Sequence, residues 1–143
     1  MMFKAKVITK LYPTEDQEKV SAALTAILEG EVKTYMIGNE KYLYIESTDS
    51  KDLGKFYELV RKQKILDATR KYLRNNIFGN STVFFINKQV AFIGKINLCE
   101  EEGESPLGPI RIELESDNIE QLIDWLTPYT KNGVEVTLVS KFP

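Results

Sequence analysis

The hydrophobic period of this chain switches repeatedly between two residues and about 3.6, and the order of those switches limits the folds open to it. Residues 3–12 alternate, with Val7, Thr9 and Leu11 on one side and Lys6, Ile8 and Lys10 on the other. That is a strand covered on one face. Pro13 stops it, Thr14 is placed to N-cap a helix, and Gln17 holds the capping-box position three residues on. Val20, Leu24, Ile27 and Leu28 form the helical stripe, which Gly30 ends. Residues 32–37 and 41–46 read as strands around a Gly38-Asn39-Glu40 turn.

Asp49 or Ser50 caps the next helical stretch, where Leu53, Phe56, Tyr57 and Val60 share a face. The pattern then loses phase, and Ile65, Leu66, Thr69, Tyr72 and Leu73 begin a new stripe. This predicts two helices, about 50–63 and 65–76, with a break near Gln63-Lys64; one bent helix is the alternative. Residues 83–86 and 90–98 are β-rich and predict a hairpin through Asn87-Lys88-Gln89. An acidic loop, 100–105, and the string Pro106-Leu107-Gly108-Pro109 lead into a strand over 110–115. Asp117 and Glu120 are spaced as a capping pair before the stripe Ile119, Leu122, Ile123, Leu126, and Pro128 ends that helix. Residues 134–139 read as a last strand. Helices separated by hairpins predict one α+β domain over residues 1–143, a two-layer structure with a mixed or antiparallel sheet and helices packed on one face. The first and last strands are expected in that one sheet.

A length of 143 residues suits a single core. No apolar run approaches the roughly 18–20 residues of a membrane span, and the N-terminus lacks the apolar block of a signal peptide. Cys99 is the sole cysteine, which excludes an intrachain disulfide. These features predict a cytoplasmic protein without membrane contact. Histidine is absent, which removes the commonest general base and transition-metal ligand. No Walker loop, dinucleotide fingerprint, nucleophile elbow or metalloprotease motif occurs. A non-enzyme without cofactor or metal is the expectation.

Charge is segregated. Residues 51–95 hold ten Lys and Arg against three Asp and Glu, net +7, so the remainder carries −9 within a total of −2. A basic middle of this kind points to an anionic partner, often nucleic acid. On the second helix, Lys64, Arg70, Lys71, Arg74 and Asp67 fall opposite the apolar stripe, and on the first, Lys55 and Lys62 point away from it. Lys55, Arg61, Lys62, Lys64, Arg70, Lys71, Arg74, Lys88 and Lys95 are therefore the candidate phosphate contacts, each neutralised phosphate adding salt-sensitive affinity. The competing reading is a solvated helix face with pairs such as Asp67–Lys71.

Other features carry less chemistry. In the segment 82–95, Phe84 and Ile86, and separately Val90, Phe92, Ile96 and Leu98, share parities that predict core positions, leaving Phe85 and Ile93 on the other face for stacking or oligomer contact. The order of an RNA-recognition-motif strand is absent from it. Glu100, Glu101, Glu102 and Glu104 lack the ligand spacing of a calcium loop. Cys99 is expected as a small buried or half-buried residue. Gly108 can take φ > 0 within Pro106-Leu107-Gly108-Pro109, where the prolines fix φ, and so shapes the start of a strand.

Five strings in this order resemble the archaeal protein family 0201: LYPTEDQEKV (11–20), KILDATR (64–70), INKQVAFIGKIN (86–97), PLGPI (106–110) and IDWLTPYTKNG (123–133). Members are often labelled predicted exosome subunits or RNA-binding proteins. The resemblance spans nearly the whole chain and implies a compact α+β domain similar to the fifth large-subunit ribosomal protein, with no catalytic residues to carry over. Val90 departs from it where a smaller residue is expected. The leading expectation is thus a non-enzymatic RNA-binding protein. The alternative is a protein-interaction module, as a homodimer or a subunit of an RNA-processing complex.

Overall fold

The computed structural model describes residues 2–100 and 107–136. Strand β1, Phe3–Leu11, lies in the middle of the main sheet. It pairs antiparallel with β3, Glu40–Ser47, on one side and β7, Pro109–Ser116, on the other. Outside β3 lies β2, Lys33–Ile37, and outside β7 lie β5, Ser81–Asn87, and the short β4, Ile77–Phe78. The order is β2-β3-β1-β7-β5-β4, and β6, Leu98–Cys99, also pairs with β5. Every pairing is antiparallel.

The strand alternation decides which face is covered. Phe3, Ala5, Val7 and Thr9 of β1 are buried, as are Leu43 and Ile45 of β3, Phe84 and Ile86 of β5, and Ile110, Ile112 and Leu114 of β7. Onto this face pack α1 (Gln17–Thr25), α2 (Gly54–Lys62), α3 (Leu66–Asn75) and α5 (Ile119–Leu126) through the stripes read from the sequence. Phe56 of α2 meets Phe84 with ring centroids 5.9 Å apart, and the Tyr72 ring of α3 meets Phe84 edge-on at 6.4 Å. Gly30 permits the close return after α1: its φ is 152°, and a Cβ there would lie 2.8 Å from Ile45 Cγ2. The α+β architecture with helices on one face is as expected.

The break at residues 63–64 is a Schellman turn. Ile65 N–H bonds Val60 O and Lys64 N–H bonds Arg61 O, both at 3.0 Å, with Lys64 at φ 58°. Cap positions differ from expectation. Asp16, not Thr14, caps α1 by accepting from Glu18 N–H at 2.9 Å, and Glu15 reaches back to accept from Tyr12 N–H at 3.0 Å. Asn118, not Asp117, caps α5 by accepting from Gln121 N–H at 3.0 Å.

One expectation is overturned. Residues 90–98 are not one strand. Asn87 accepts from Val90 N–H at 3.0 Å and starts α4, Lys88–Ala91, and only Leu98–Cys99 rejoins β5. Ile96 is buried as anticipated, but Phe92 is exposed. Of the expected strand over 134–139, only residues 134–136 are described, and these do not pair with the main sheet. Within the described residues, β9, Val134–Glu135, pairs only with β8, Thr130–Lys131, as a separate hairpin. Residues 137–139 of that expected strand lie outside the described residues, as do 101–106, which hold most of the acidic loop and Pro106.

Candidate nucleic-acid interface

The helical flank sorts its cations into two groups by chemistry. Planar guanidinium forks reach several acceptors at once, and two of the three here, Arg61 and Arg70, turn inward. Arg61 lies 3.3 Å over the Tyr57 ring centroid and donates to Tyr57 O, Leu126 O, Trp125 O and Glu135 at 2.9–3.3 Å. It closes the carbonyl end of α5. Arg70 donates to Thr127 O at 3.1 Å and pairs with Asp124 at 2.8 Å. Both side chains are 16% exposed, so neither is the solvent-facing phosphate contact expected from the sequence. Arg74 pairs with Glu120 but stays exposed at 43%. The Asp67–Lys71 pair does not form: Asp67 instead accepts from Thr130 N–H and Oγ1 at 2.9 and 2.8 Å, tying α3 to β8.

Lys88 is the largest correction. It is fully buried, where Nζ donates to Lys10 O at 2.7 Å and Leu107 O at 2.8 Å and pairs with Glu15 at 3.1 Å. Burial pushes its ammonium below the ordinary lysine range, and Glu15 opposes that shift. This lysine joins β1, the turn before α1 and the segment before β7; it does not touch solvent.

Lys62, Lys64, Lys71 and Lys95 remain exposed or half-exposed, and none has an ion-pair partner among the described residues. Lys55 has only the solvent-screened Glu29 at 3.9 Å. The Gln63 side chain draws part of this set together. It donates to Ile96 O at 3.0 Å and accepts from Ile96 N–H at 2.7 Å, pinning the 93–96 turn to the end of α2. Lys62 and Lys95 consequently line one groove of about 540 Å3, and Lys55 and Lys62 line the next. Lys71 lines neither.

The opposite face of the sheet holds residues that the sequence pattern leaves unassigned. Tyr35 of β2 stands opposite Tyr42 of β3, and their rings stack at 5.1 Å and 12°. Tyr44 meets Tyr35 edge-on at 5.5 Å. Lys6 sits over the Tyr44 ring at 5.2 Å, Lys10 over Tyr12 at 4.7 Å, and Arg111 over Phe85 at 5.9 Å. Glu40 links part of this set, bonding Lys10 Nζ and the Tyr42 hydroxyl at 3.0 Å each. The Lys10 bond, then the Tyr42 bond, holds its carboxyl below the usual range, and the Tyr42 phenol is pushed up chiefly by donating to it. A signal for this cluster exists in the sequence: the turn at Gly38 sets the register that faces Tyr35 with Tyr42, and parity adds Tyr44. Phe85 is expected on this face, and it is there, half-buried.

Known proteins resemble this chain in sequence and in fold. A family model described as RNA binding matches residues 4–116, from the start of β1 to the end of β7. A UPF0201 protein of Sulfurisphaera tokodaii is 42% identical over 134 residues, covering 93% of this chain and 92% of that one. A UPF0201 protein of Sulfolobus acidocaldarius is 42% identical over 123 residues, covering 85% of each. Among solved structures, a UPF0201 protein from Methanococcus jannaschii superposes with a TM-score of 0.81 at 30% identity, covering 93% of this chain and 98% of that chain. With matches of that length in both sequence and fold, the chain belongs to the archaeal UPF0201 family.

Proposed function

We propose that this protein is a non-enzymatic RNA-binding module whose helical flank contacts phosphates through Lys62, Lys64, Lys71 and Lys95, with Lys55 and Arg74 at the margins. The observation that carries the reading is the RNA-binding family match over 4–116, which contains all of these residues. The structure adds a chemical reason: four of these ammonium groups stay in solvent without an ion-pair partner among the described residues, although the protein has acids to pair with them. Unpaired surface cations attract a polyanion and release its counterions on binding. The test is a salt titration of binding to a structured RNA with the triple variant Lys62→Glu, Lys64→Glu, Lys95→Glu. Affinity falls at low salt and the dependence on salt becomes shallower. An unchanged slope and affinity sinks the flank as the phosphate contact. Arg70 is left intact in such a variant, because its loss would damage the α3–α5 junction.

The second reading is assembly. Among the described residues β2 is an edge strand, and its Met36 and Ile37 are each 58% exposed. Absence of RNA binding at low salt, with self-association in sedimentation, moves that reading ahead.

A further inference from the structure

We infer that the open face of the main sheet is a stacking platform for the bases of single-stranded RNA. This rests on the RNA-binding reading above and names the form of RNA and a second contact surface. The outward residues form two rows across the strands. Register places Tyr44, Ile8, Arg111 and Phe85 in one row, and Tyr35, Tyr42 and Lys10 in the next. Outward neighbours along a strand are about 7 Å apart, so the rows offer successive ring-sized positions. Between them runs a groove of about 510 Å3 lined by Tyr35, Tyr42, Phe85, Lys6, Lys10 and Arg111.

Charge complementarity on this face differs from that on the flank. Of the three cations lining the groove, Lys10 is paired with Glu40 at 3.0 Å and Arg111 with Glu113 at 3.1 Å. Glu113 and Glu115 face Lys6 and Lys4 across the β1–β7 pair, so acids are interspersed with the positive charge. A long-range pull on phosphates is therefore weak here. What the face offers is π surface with cations seated at ring faces, which suits nucleobases. Every base has a stackable face, but a duplex hides it between neighbours. A single strand is thus the occupant that fits. The RNA-binding match covers every strand of the face, β1 through β7. A second copy of the chain fits less well, because the face interleaves Lys4, Lys6, Glu113 and Glu115 with its rings in place of a continuous apolar patch.

The experiment measures binding of a labelled single-stranded RNA of about eight nucleotides, the scale of one small-domain site, and of a hairpin duplex, across a salt series. Tyr42→Ala weakens the single strand about tenfold or more, the range for loss of one stacking ring. Phe85→Ala does the same independently, and both leave the salt slope and the duplex affinity unchanged. Tyr42→Phe keeps the ring and binds as wild type, while the flank variant above lowers the salt slope. Thermal melts verify that each variant is folded. If folded Tyr42→Ala and Phe85→Ala bind the single strand as tightly as wild type, the platform is refuted while the RNA-binding reading stands. If wild type binds neither RNA at low salt, both readings fall. If Tyr42→Ala converts a dimer to monomer in sedimentation without altering RNA affinity, the face belongs to a second copy and the inference is overturned.

Discussion

The helical flank and the open sheet face each display cations, but they use them in opposite ways. On the flank, Arg61 and Arg70 are consumed by carbonyls and carboxylates of α5 and of residues 127–135, and lysines are left over in solvent. On the sheet, the cations lie against aromatic rings, two of them with a carboxylate besides. A count of positive charge cannot separate a scaffold cation from a binding cation. On the flank the head group separates Arg61 and Arg70 from the lysines, since a fork with five donors satisfies several carbonyls at once. But Lys88, whose ammonium serves two carbonyls and Glu15, shows that the distinction is local.

The sharpest contrast lies one residue apart on β5. Phe84 is buried between α2, α3 and the sheet, and Phe85 faces outward beside Arg111. Phe84→Ala lowers stability by about 3–5 kcal/mol, the cost of a core aromatic and its cavity. Phe85→Ala costs about 1 kcal/mol or less, since a half-exposed ring loses little burial. Urea unfolding of the two variants checks this; equal losses would mean that the outer face is covered in solution.

The next contrast is on α2. Arg61→Ala removes the guanidinium donor from the carbonyls of Trp125 and Leu126 and from Glu135, at a cost of about 2–3 kcal/mol. Lys62→Ala, one residue on, stays within about 0.5 kcal/mol of wild type but weakens RNA binding. Reversal of this pattern would break the division between scaffold and binding cations. A smaller effect sharpens it. Lys64 holds the left-handed position of the Schellman turn, where a Cβ costs about 1 kcal/mol. Lys64→Gly therefore raises the melting temperature slightly and still reduces RNA affinity, separating charge from stability at one site. A lowered melting temperature would show that the lysine side chain itself holds the turn.

The elements legible in the sequence are those with a local cause. Period-2 alternation puts Val7 and Phe84 inward and Phe85 outward, and the phase loss after Val60 locates the break at Lys64. The features that escape it have partners far along the chain. Lys88 reads as a hairpin residue because nothing nearby shows that its ammonium ends on Lys10 O, 78 residues away. Arg61 and Arg70 read as phosphate contacts because their local pattern carries no information about α5 passing over them. The α4 turn escapes because four helical residues fit within a β-rich run, and Asn87 reads equally as a turn residue or a cap.

The smallest expected effect, and the finest comparison, is in acid. Glu40 on the sheet side is held below its ordinary value of 4.5 mainly by its bond to Lys10, and Asp67 on the flank below 3.8 mainly by Thr130. For a carboxylate with a lowered folded-state pKa, the unfolded chain binds more protons in the window between the two values. Each contribution is thus fully present above the ordinary pKa and is lost as pH falls through the lowered one. The causes differ, so salt distinguishes them. The partner of Glu40 is a solvent-exposed ion, which added salt screens; the Thr130 donors are neutral, and salt weakens them little. Carboxyl NMR titration should find both groups low at low salt. Added salt should return Glu40 toward 4.5 while Asp67 stays low. Lys10→Met should raise Glu40 alone and Thr130→Val should raise Asp67 alone. If salt moves both equally, Asp67 is governed by the charge of Arg70, and the guanidinium at that junction still projects a field on the flank despite its pairing with Asp124.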